Sequence, residues 1–230
     1  KRQRPFDEVR EEVRFRYLEG RAAAEAEVRA AELARRGFQV TGIDRTADYL
    51  ARARDQADRE GLELEWVQAD MRQFNRPDSF DCAINIYTTF GFFDDPAEDQ
   101  LMLDHICRSL RPGGALVIDT IGKEVLATQL QMNMWHEEDD LLLLFETKII
   151  GGWDQTESRW IVVADGRRYE KTIRARIYSA NELRAALRQS GFEARCDINR
   201  IQCPYNRFTQ TIGANKRGDN HHRQAEHDAL

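Results

Sequence analysis

The chain has 230 residues, of which 41% are hydrophobic and 32% are charged, and its formal net charge is −6. This composition is typical of a globular protein and is too apolar for intrinsic disorder. Acidic and basic residues are interleaved, which argues against a general nucleic-acid surface, and the longest apolar runs are too short to cross a bilayer. The four cysteines form no CxxC pair and show no metal-type spacing with histidine. We therefore expect a cytoplasmic protein with reduced thiols, without a metal site, a membrane partner or a nucleic-acid partner.

The first half of the chain alternates between helical and strand patterns. Helices are predicted over residues 10–18 and 21–36, followed by a strand at 38–43, a helix at 46–60 and a strand at 62–67. A nearly continuous apolar strand beginning at Phe80 is expected to be buried on both faces. Next come an amphipathic helix at 97–110, with Leu101, Ile106 and Leu110 facing inward, and the buried strand "ALVIDT". Strands that alternate with helices predict an α/β protein with a doubly wound, mostly parallel sheet.

The pattern changes after Lys123. A helical piece to about Met134 precedes three segments that read as antiparallel strands, so a β-meander insertion is predicted over about residues 135–178. Ser179 and Glu182 have the spacing of a capping box at the start of a further helix, which two more strands follow. We expect one domain over residues 1–214, with the meander covering one edge of a cleft, and a polar C-terminal tail over 215–230.

Six segments, read in order, resemble the class I S-adenosylmethionine-dependent methyltransferases. They are "RRGFQVTGID", "QADMRQF", "FDCAINIYTTFGFFDDPAED", "ICRSLRPGGALVIDT", "WHEEDD" and "IYSANELRAALRQSGFE". Each segment alone is weak evidence, but their order and spacing are similar to those of small-molecule enzymes of the glycine/sarcosine N-methyltransferase type. The resemblance implies a Rossmann-like fold, S-adenosyl-L-methionine as cofactor and a small-molecule methyl acceptor. It also implies in-line transfer of a methyl group to nitrogen or oxygen.

The resemblance assigns roles to residues at the ends of strands. Asp44 would accept hydrogen bonds from both ribose hydroxyls, unless it only caps the following helix. Asp70 would accept from the adenine amino group beside the Met71 backbone N–H, unless it is only a turn residue. Ile86 and Tyr87 would line the methionine portion and the methyl-transfer face, although both also suit a plain strand end. Further residues implied around the cofactor are Arg45 and Tyr49, which would flank the nucleotide unless they are only surface residues, and Gly20.

On the acceptor side, Tyr87 and His136 are the implied catalytic candidates. His136 would serve as a base oriented by Glu137 or Glu138 if the acceptor must lose a proton, and otherwise it is a loop histidine. Trp135 and Tyr87 would form an aromatic wall around a cation, unless Trp135 only packs. Tyr17 would close over the site as a lid residue.

One part of the family pattern is missing. The family has a first strand and a glycine-rich loop whose backbone approaches the cofactor, because a Cβ would block that approach. Here the corresponding stretch, "VRFRYLEGRAAAEAEVRAAELARRGF", offers only Gly20 before the helix-ending Gly37 and contains no convincing strand. Either the loop is deleted and the site is weakened, or this sequence lacks a stretch that the full protein has.

Three other functions fit the sequence less well. A catalytically inactive methyltransferase fold that serves as a scaffold is suggested by the missing loop. A nicotinamide-dependent dehydrogenase would also place an acid after the second strand, but its glycine fingerprint is absent. The net negative charge and the lack of an "NPPY"-like tetrad argue against a nucleic-acid methyltransferase. The oligomeric state is open, and pairing of an exposed meander edge would give a homodimer.

Overall fold

The computed structural model describes residues 20–86, 89–130, 132–138, 141–164, 167–201 and 209–216. The chain divides into two compact units, the first ending at Phe74 and the second beginning at Asn75. The predicted α/β class with an inserted antiparallel sheet is confirmed. The elements are α1 (Gly20–Arg35), β1 (Thr41–Asp44), α2 (Ala47–Arg59), β2 (Glu65–Gln68), β3 (Phe80–Asn85), α3 (Pro96–Ser109), β4 (Leu110–Thr120), α4 (Lys123–Gln129), β5 (Asn133–Glu138), β6 (Leu141–Ile150), β7 (Gln155–Ala164), β8 (Arg167–Arg176), α5 (Ala180–Gln189), β9 (Phe192–Ile201) and β10 (Thr209–Lys216).

In the first unit, β1 and β2 pair in parallel, with Thr41 opposite Glu65 and Asp44 opposite Gln68. The carboxyl ends of β1 and β2 therefore lie side by side, at one edge of the sheet formed by the strand ends. Gly61, with φ of +65°, follows α2, as the sequence predicts for a helix that ends at a glycine. One face of α2 is buried, which explains its amphipathic pattern. The buried residues of this face are Tyr49, Leu50, Ala53 and Ala57.

Gly42 lets β1 and β2 pack closely at Trp66 because it has no side chain. It lies opposite Trp66, and a Cβ at Gly42 would overlap the indole ring. The ring therefore occupies the space that a side chain on β1 would need. This contact explains a glycine in a strand interior, where it otherwise weakens pairing.

The second unit contains a four-stranded sheet in the order β3-β4-β10-β9. β3 runs parallel to β4, and β10 runs antiparallel to both of its neighbours. The predicted capping box at α5 is confirmed, because the Ser179 hydroxyl accepts the Glu182 N–H and the Glu182 carboxylate accepts the Ser179 N–H. The buried residues that α3, β4, α5 and β9 contribute to the core are Met102, Leu103, Leu110, Leu116, Ile118, Leu183, Leu187 and Phe192.

The meander is the second sheet of this unit, with β5, β6, β7 and β8 paired antiparallel in chain order. Gly151, Gly152 and Trp153 all have positive φ in the turn between β6 and β7. The predicted helix to about Met134 is wrong in its end: α4 stops at Gln129, and Met134 lies in β5 opposite Phe145. The single-domain boundary at residue 214 stays a prediction, and β10 continues to Lys216.

Two burial predictions are wrong. β3 is not buried on both faces, since Ile84 is 50% exposed and Cys82 is exposed. The reason is that β4 is the only strand paired with β3 in the described part of the chain. Leu101 is 42% exposed, whereas Met102 and Leu103 are buried, so the inward face of α3 is shifted by about one position.

A buried polar cluster ties the end of the meander to α3. Asp99 is 1% exposed, and its Oδ2 accepts a hydrogen bond from the Tyr178 hydroxyl at 2.7 Å. The Arg176 Nε lies 3.3 Å from the same oxygen. The Arg176 backbone N–H donates to the Gly91 carbonyl at 2.6 Å. Burial raises the pKa of Asp99, and the Tyr178 hydroxyl and Arg176 oppose that rise. The cluster thus holds the loop after β3 against the end of β8.

Replacing Tyr178 by phenylalanine should destabilise the protein. The variant leaves the buried Asp99 carboxylate without its hydroxyl donor, which costs about 1–3 kcal/mol of unfolding free energy. Arg174→Gln, which breaks an exposed ion pair with Glu157, should cost less than about 1 kcal/mol. Urea unfolding of both variants measures the difference. Equal losses would mean that the Tyr178 hydroxyl contributes no more than a surface ion pair.

Candidate functional site

Asp44 lies at the carboxyl end of β1, as the sequence predicts. Its Oδ1 accepts the Thr46 N–H at 2.7 Å, and Thr46 is the cap residue of α2. Asp44 therefore does cap the turn into the helix, which was the alternative to ribose binding. One oxygen suffices for that role, and among the described residues Oδ2 has no hydrogen-bond donor. The two roles are compatible, because an ionised carboxylate has about four acceptor positions.

The two residues expected beside Asp44 differ in exposure. Arg45 is exposed, and its carbonyl accepts a hydrogen bond from Gln68 at 3.2 Å. Tyr49 is buried in the face of α2 that packs inside the unit. Tyr49 is thus not a surface residue.

Asp70 follows β2, and its carboxylate is already occupied. Arg72 donates to it from Nε at 2.9 Å and from Nη2 at 2.6 Å, and the Arg72 backbone N–H adds a third bond at 2.9 Å. The hydrogen bond from the Arg72 side chain is the main reason that the pKa of Asp70 falls to about 2. Met71 is half-buried in the turn that begins here. Because β1 and β2 are parallel, Asp44 and Asp70 lie at the same edge of their sheet.

In the second unit, Ile86 follows the last residue of β3 and is half-buried. Its carbonyl accepts a hydrogen bond from the Thr89 hydroxyl at 3.1 Å. Tyr87 and Tyr17 lie outside the described residues. Gly20 is the first described residue and lies in α1.

Trp135 and His136 lie in β5 rather than in a loop. Successive residues of a strand point to opposite faces, so Trp135 and His136 cannot face the same ligand. Trp135 is 70% exposed and is paired with Leu144, whereas His136 is paired with Leu143. Glu137 lies on the face opposite His136 and therefore cannot orient its ring. Glu138 lies two residues after His136 in β5, and its role in orienting His136 stays a prediction.

The sequence analysis missed two polar groups at the ends of β3 and β4. Asn85 is the last residue of β3, and Asp119 is the penultimate residue of β4. In both, the Oδ1 atom is buried and has no hydrogen-bond partner. The available signal was a polar residue that ends an apolar run, as in "ALVIDT" and "FDCAIN".

A cavity of about 570 Å³ opens in the first unit, but it is not the predicted cofactor site. Thr41 and Glu65, the first residues of β1 and β2, are part of its lining. It therefore lies at the amino ends of the strands, whereas Asp44 and Asp70 lie at the carboxyl ends. Ligands of open α/β sheets bind outside the carboxyl ends.

Residues 28–114 match the protein family described as a methyltransferase domain. This part of the chain is therefore similar to a methyltransferase domain. Over 93 residues it is 34% identical to a ubiquinone biosynthesis O-methyltransferase of Aeromonas salmonicida, a region that is 40% of this chain and 37% of that one. The chain spans little more than a third of the curated relatives that it matches.

Solved structures establish the fold over most of the chain. The CcbJ methyltransferase from Streptomyces caelestis superposes with a TM-score of 0.68 at 17% identity, covering 83% of this chain and 84% of that one. CalS10, an amino pentose methyltransferase from Micromonospora echinaspora solved with S-adenosylmethionine, gives a TM-score of 0.59 at 18% identity, covering 94% and 98%. The fold is that of the class I S-adenosylmethionine-dependent methyltransferases, as the sequence resemblance implied.

Two other kinds of feature are absent from the described residues. Within the described ranges, no group of three or more His, Cys, Asp or Glu side chains is placed to hold a metal ion. Among the described helices, none combines the length and the apolar character that a membrane span requires.

The Asp70–Arg72 pair predicts a specific pH dependence. Because the pKa of Asp70 is about 2 in the folded chain and near 3.8 ordinarily, the pair stabilises the fold above that ordinary value. This contribution should be lost as the pH falls from about 4 to about 2. In Arg72→Gln that part of the acid sensitivity should disappear, whereas Arg59→Gln, on the exposed end of α2, should keep it. Urea unfolding between pH 2 and pH 6 measures this, and parallel curves for wild type and Arg72→Gln would contradict it.

Proposed function

We propose that the protein is an S-adenosylmethionine-dependent methyltransferase that transfers a methyl group to nitrogen or oxygen of a small molecule. The observation that carries the proposal is the position of Asp44 and Asp70 at one edge of β1 and β2, inside the region that matches a methyltransferase domain. That edge is where open α/β sheets hold nucleotides. The CcbJ and CalS10 folds add support for the class of enzyme.

The residues of the first unit fit the adenosine part of the cofactor. Asp44 has an oxygen available for the ribose hydroxyls, and its second oxygen is held by Thr46, which fixes the carboxylate in place. Asp70 accepts from Arg72, so an adenine amino group would share the carboxylate with the guanidinium. For the methionine part the chain offers Gly20 at the start of α1 and Ile86 after β3.

When bound, S-adenosylmethionine supplies an electrophilic methyl carbon on a sulfonium. The chain's task is then to hold the acceptor in line and to exclude water. A neutral amine needs no strong base, whereas a hydroxyl acceptor would need one, and His136 remains the candidate for that role. The acceptor class is proposed from related folds: CalS10 is an amino pentose methyltransferase, and the ubiquinone enzyme is an O-methyltransferase.

A catalytically inactive scaffold is the second candidate. The stretch before β1 contains only Gly20 ahead of Gly37, where the family has a glycine-rich loop. Without that loop the cofactor would lose backbone contacts at its methionine end. A scaffold does not need to bind the cofactor, so the two candidates differ in whether cofactor affinity is retained.

Calorimetric titration with S-adenosylhomocysteine distinguishes the two. Micromolar binding would support the enzyme, and screening of amine and hydroxyl acceptors with labelled S-adenosylmethionine would follow. Absence of binding at millimolar ligand would contradict the proposal and favour the scaffold.

Asp44→Ala should weaken S-adenosylhomocysteine binding by about 2–3 kcal/mol, or roughly 30- to 150-fold, because a carboxylate that accepts ribose hydroxyls is lost. Asp55→Ala removes an acid of α2 that the site does not use, and it should leave the affinity unchanged. Calorimetry of both variants makes the comparison. If the two variants bind equally well, Asp44 is not a cofactor residue.

A further inference from the structure

Asp119 is a buried acid whose charge is not compensated. The residue is 6% exposed, and its Oδ1 has no hydrogen-bond partner. In the described part of the chain no cationic group forms an ion pair with it. Burial of an unpaired polar or charged group costs free energy, so such a group calls for an explanation.

Comparison with Asp99 separates Asp119 from a structural acid. Asp99 is also buried and its Oδ1 likewise has no partner, but Tyr178 donates to its Oδ2 and Arg176 lies within ion-pair distance of that oxygen. Those contacts explain Asp99 as a link between α3 and the meander. Asp119 makes no comparable contact, so packing of the fold does not explain its charge.

The place of Asp119 is the edge where a ligand would bind. β3 and β4 are parallel, and the last observed pair is Asn85 with Ile118. One residue further on, Ile86 and Asp119 occupy matching positions at the carboxyl ends of the two strands. Ile86 is the residue expected at the methyl-transfer face. Asn85, which pairs with Ile118, carries another buried, unpartnered oxygen at this end of the strands, but on the face opposite Asp119.

We propose that Asp119 binds the amino group of the methyl acceptor, so that the acceptor is an amine. This inference rests on the proposed methyltransferase function. A carboxylate oxygen buried beside Ile86 accepts a hydrogen bond from an N–H group and balances a positive charge, whereas a hydroxyl acceptor would leave the charge uncompensated.

The chemistry of the transfer fits a carboxylate at this position. A bound ammonium group first loses one proton to solvent through Asp119. Its nitrogen then uses the freed lone pair for the new N–C bond, and the electrons of the broken C–S bond remain on sulfur. The nitrogen is then positively charged until its N–H proton passes through Asp119 to solvent. A carboxylate that favours the charged nitrogen over the neutral one stabilises the transition state more than the ground state.

The test compares wild type with Asp119→Asn and with Asp81→Asn. Asp81 is an exposed acid on β3 whose partner is Arg111, and it serves as the charge-matched control. The probe is methylammonium chloride, titrated against sodium chloride at equal ionic strength with S-adenosylhomocysteine present. At about ten times its Kd, methylammonium should raise the Tm of wild type and Asp81→Asn by about 3–5 °C, and Asp119→Asn should lose this shift.

Without the probe, Asp119→Asn should unfold at the same Tm as wild type or above it, because an uncompensated buried charge is removed. A Tm lowered by more than about 5 °C would assign Asp119 a structural role and overturn the proposal. An equal methylammonium response in wild type and Asp119→Asn, or no response in either, would overturn it as well. Calorimetry with S-adenosylhomocysteine alone reports separately on the proposed function, since Asp119→Asn should keep wild-type cofactor affinity.

Discussion

The parallel pairing of strands decides where chemistry can occur in this protein. Backbone hydrogen bonds align β1 with β2 so that Asp44 lies opposite Gln68, and they align β3 with β4 so that Asn85 lies opposite Ile118. Each pairing brings the residues that follow two strands to one edge. Residues that are far apart in sequence, such as Ile86 and Asp119, become adjacent for this reason. β1 and β2 are short, so few other contacts fix their position. Their spacing is nevertheless tight, because a Cβ at Gly42 would overlap the Trp66 ring.

Local patterns in the sequence predicted much of this arrangement. Asp44 at a strand end, Gly61 after a helix and the Ser179–Glu182 capping box depend on neighbouring residues, and each lies where the sequence placed it. What failed depends on contacts between distant residues. The pairing of β5 with β6 turns His136 from a loop residue into a strand residue. The Asp70–Arg72 pair involves neighbours, but its geometry cannot be read from spacing. Whether an acid such as Asp119 has a partner is decided by elements far along the chain.

Among the described strands, β1 and β3 each have one unpaired edge. β1 pairs with β2, and β3 pairs with β4. No other described strand pairs with β1 or with β3. Ile43 is 38% exposed and Ile84 is 50% exposed, although strands of a doubly wound sheet are usually buried on both faces. Exposed apolar edges favour aggregation, so selection normally covers them. A further parallel strand beside β3 would pair with its open backbone edge.

Asp99 and Asp119 show two ways in which one fold treats a buried carboxylate. Asp99 receives the Tyr178 hydroxyl and lies beside Arg176, so its charge helps to hold the loop after β3 in place. Asp119 receives no such contacts, so the burial of its carboxylate lowers the folding stability of the protein without ligand. Stability lost at one residue is tolerated where binding recovers it, and binding sites are where such residues concentrate. The Gly91 carbonyl, which accepts the Arg176 N–H, belongs to the loop that follows β3. The Asp99 cluster thus holds this loop, whereas the Asp119 Oδ1 at the carboxyl end of β4 has no hydrogen-bond partner.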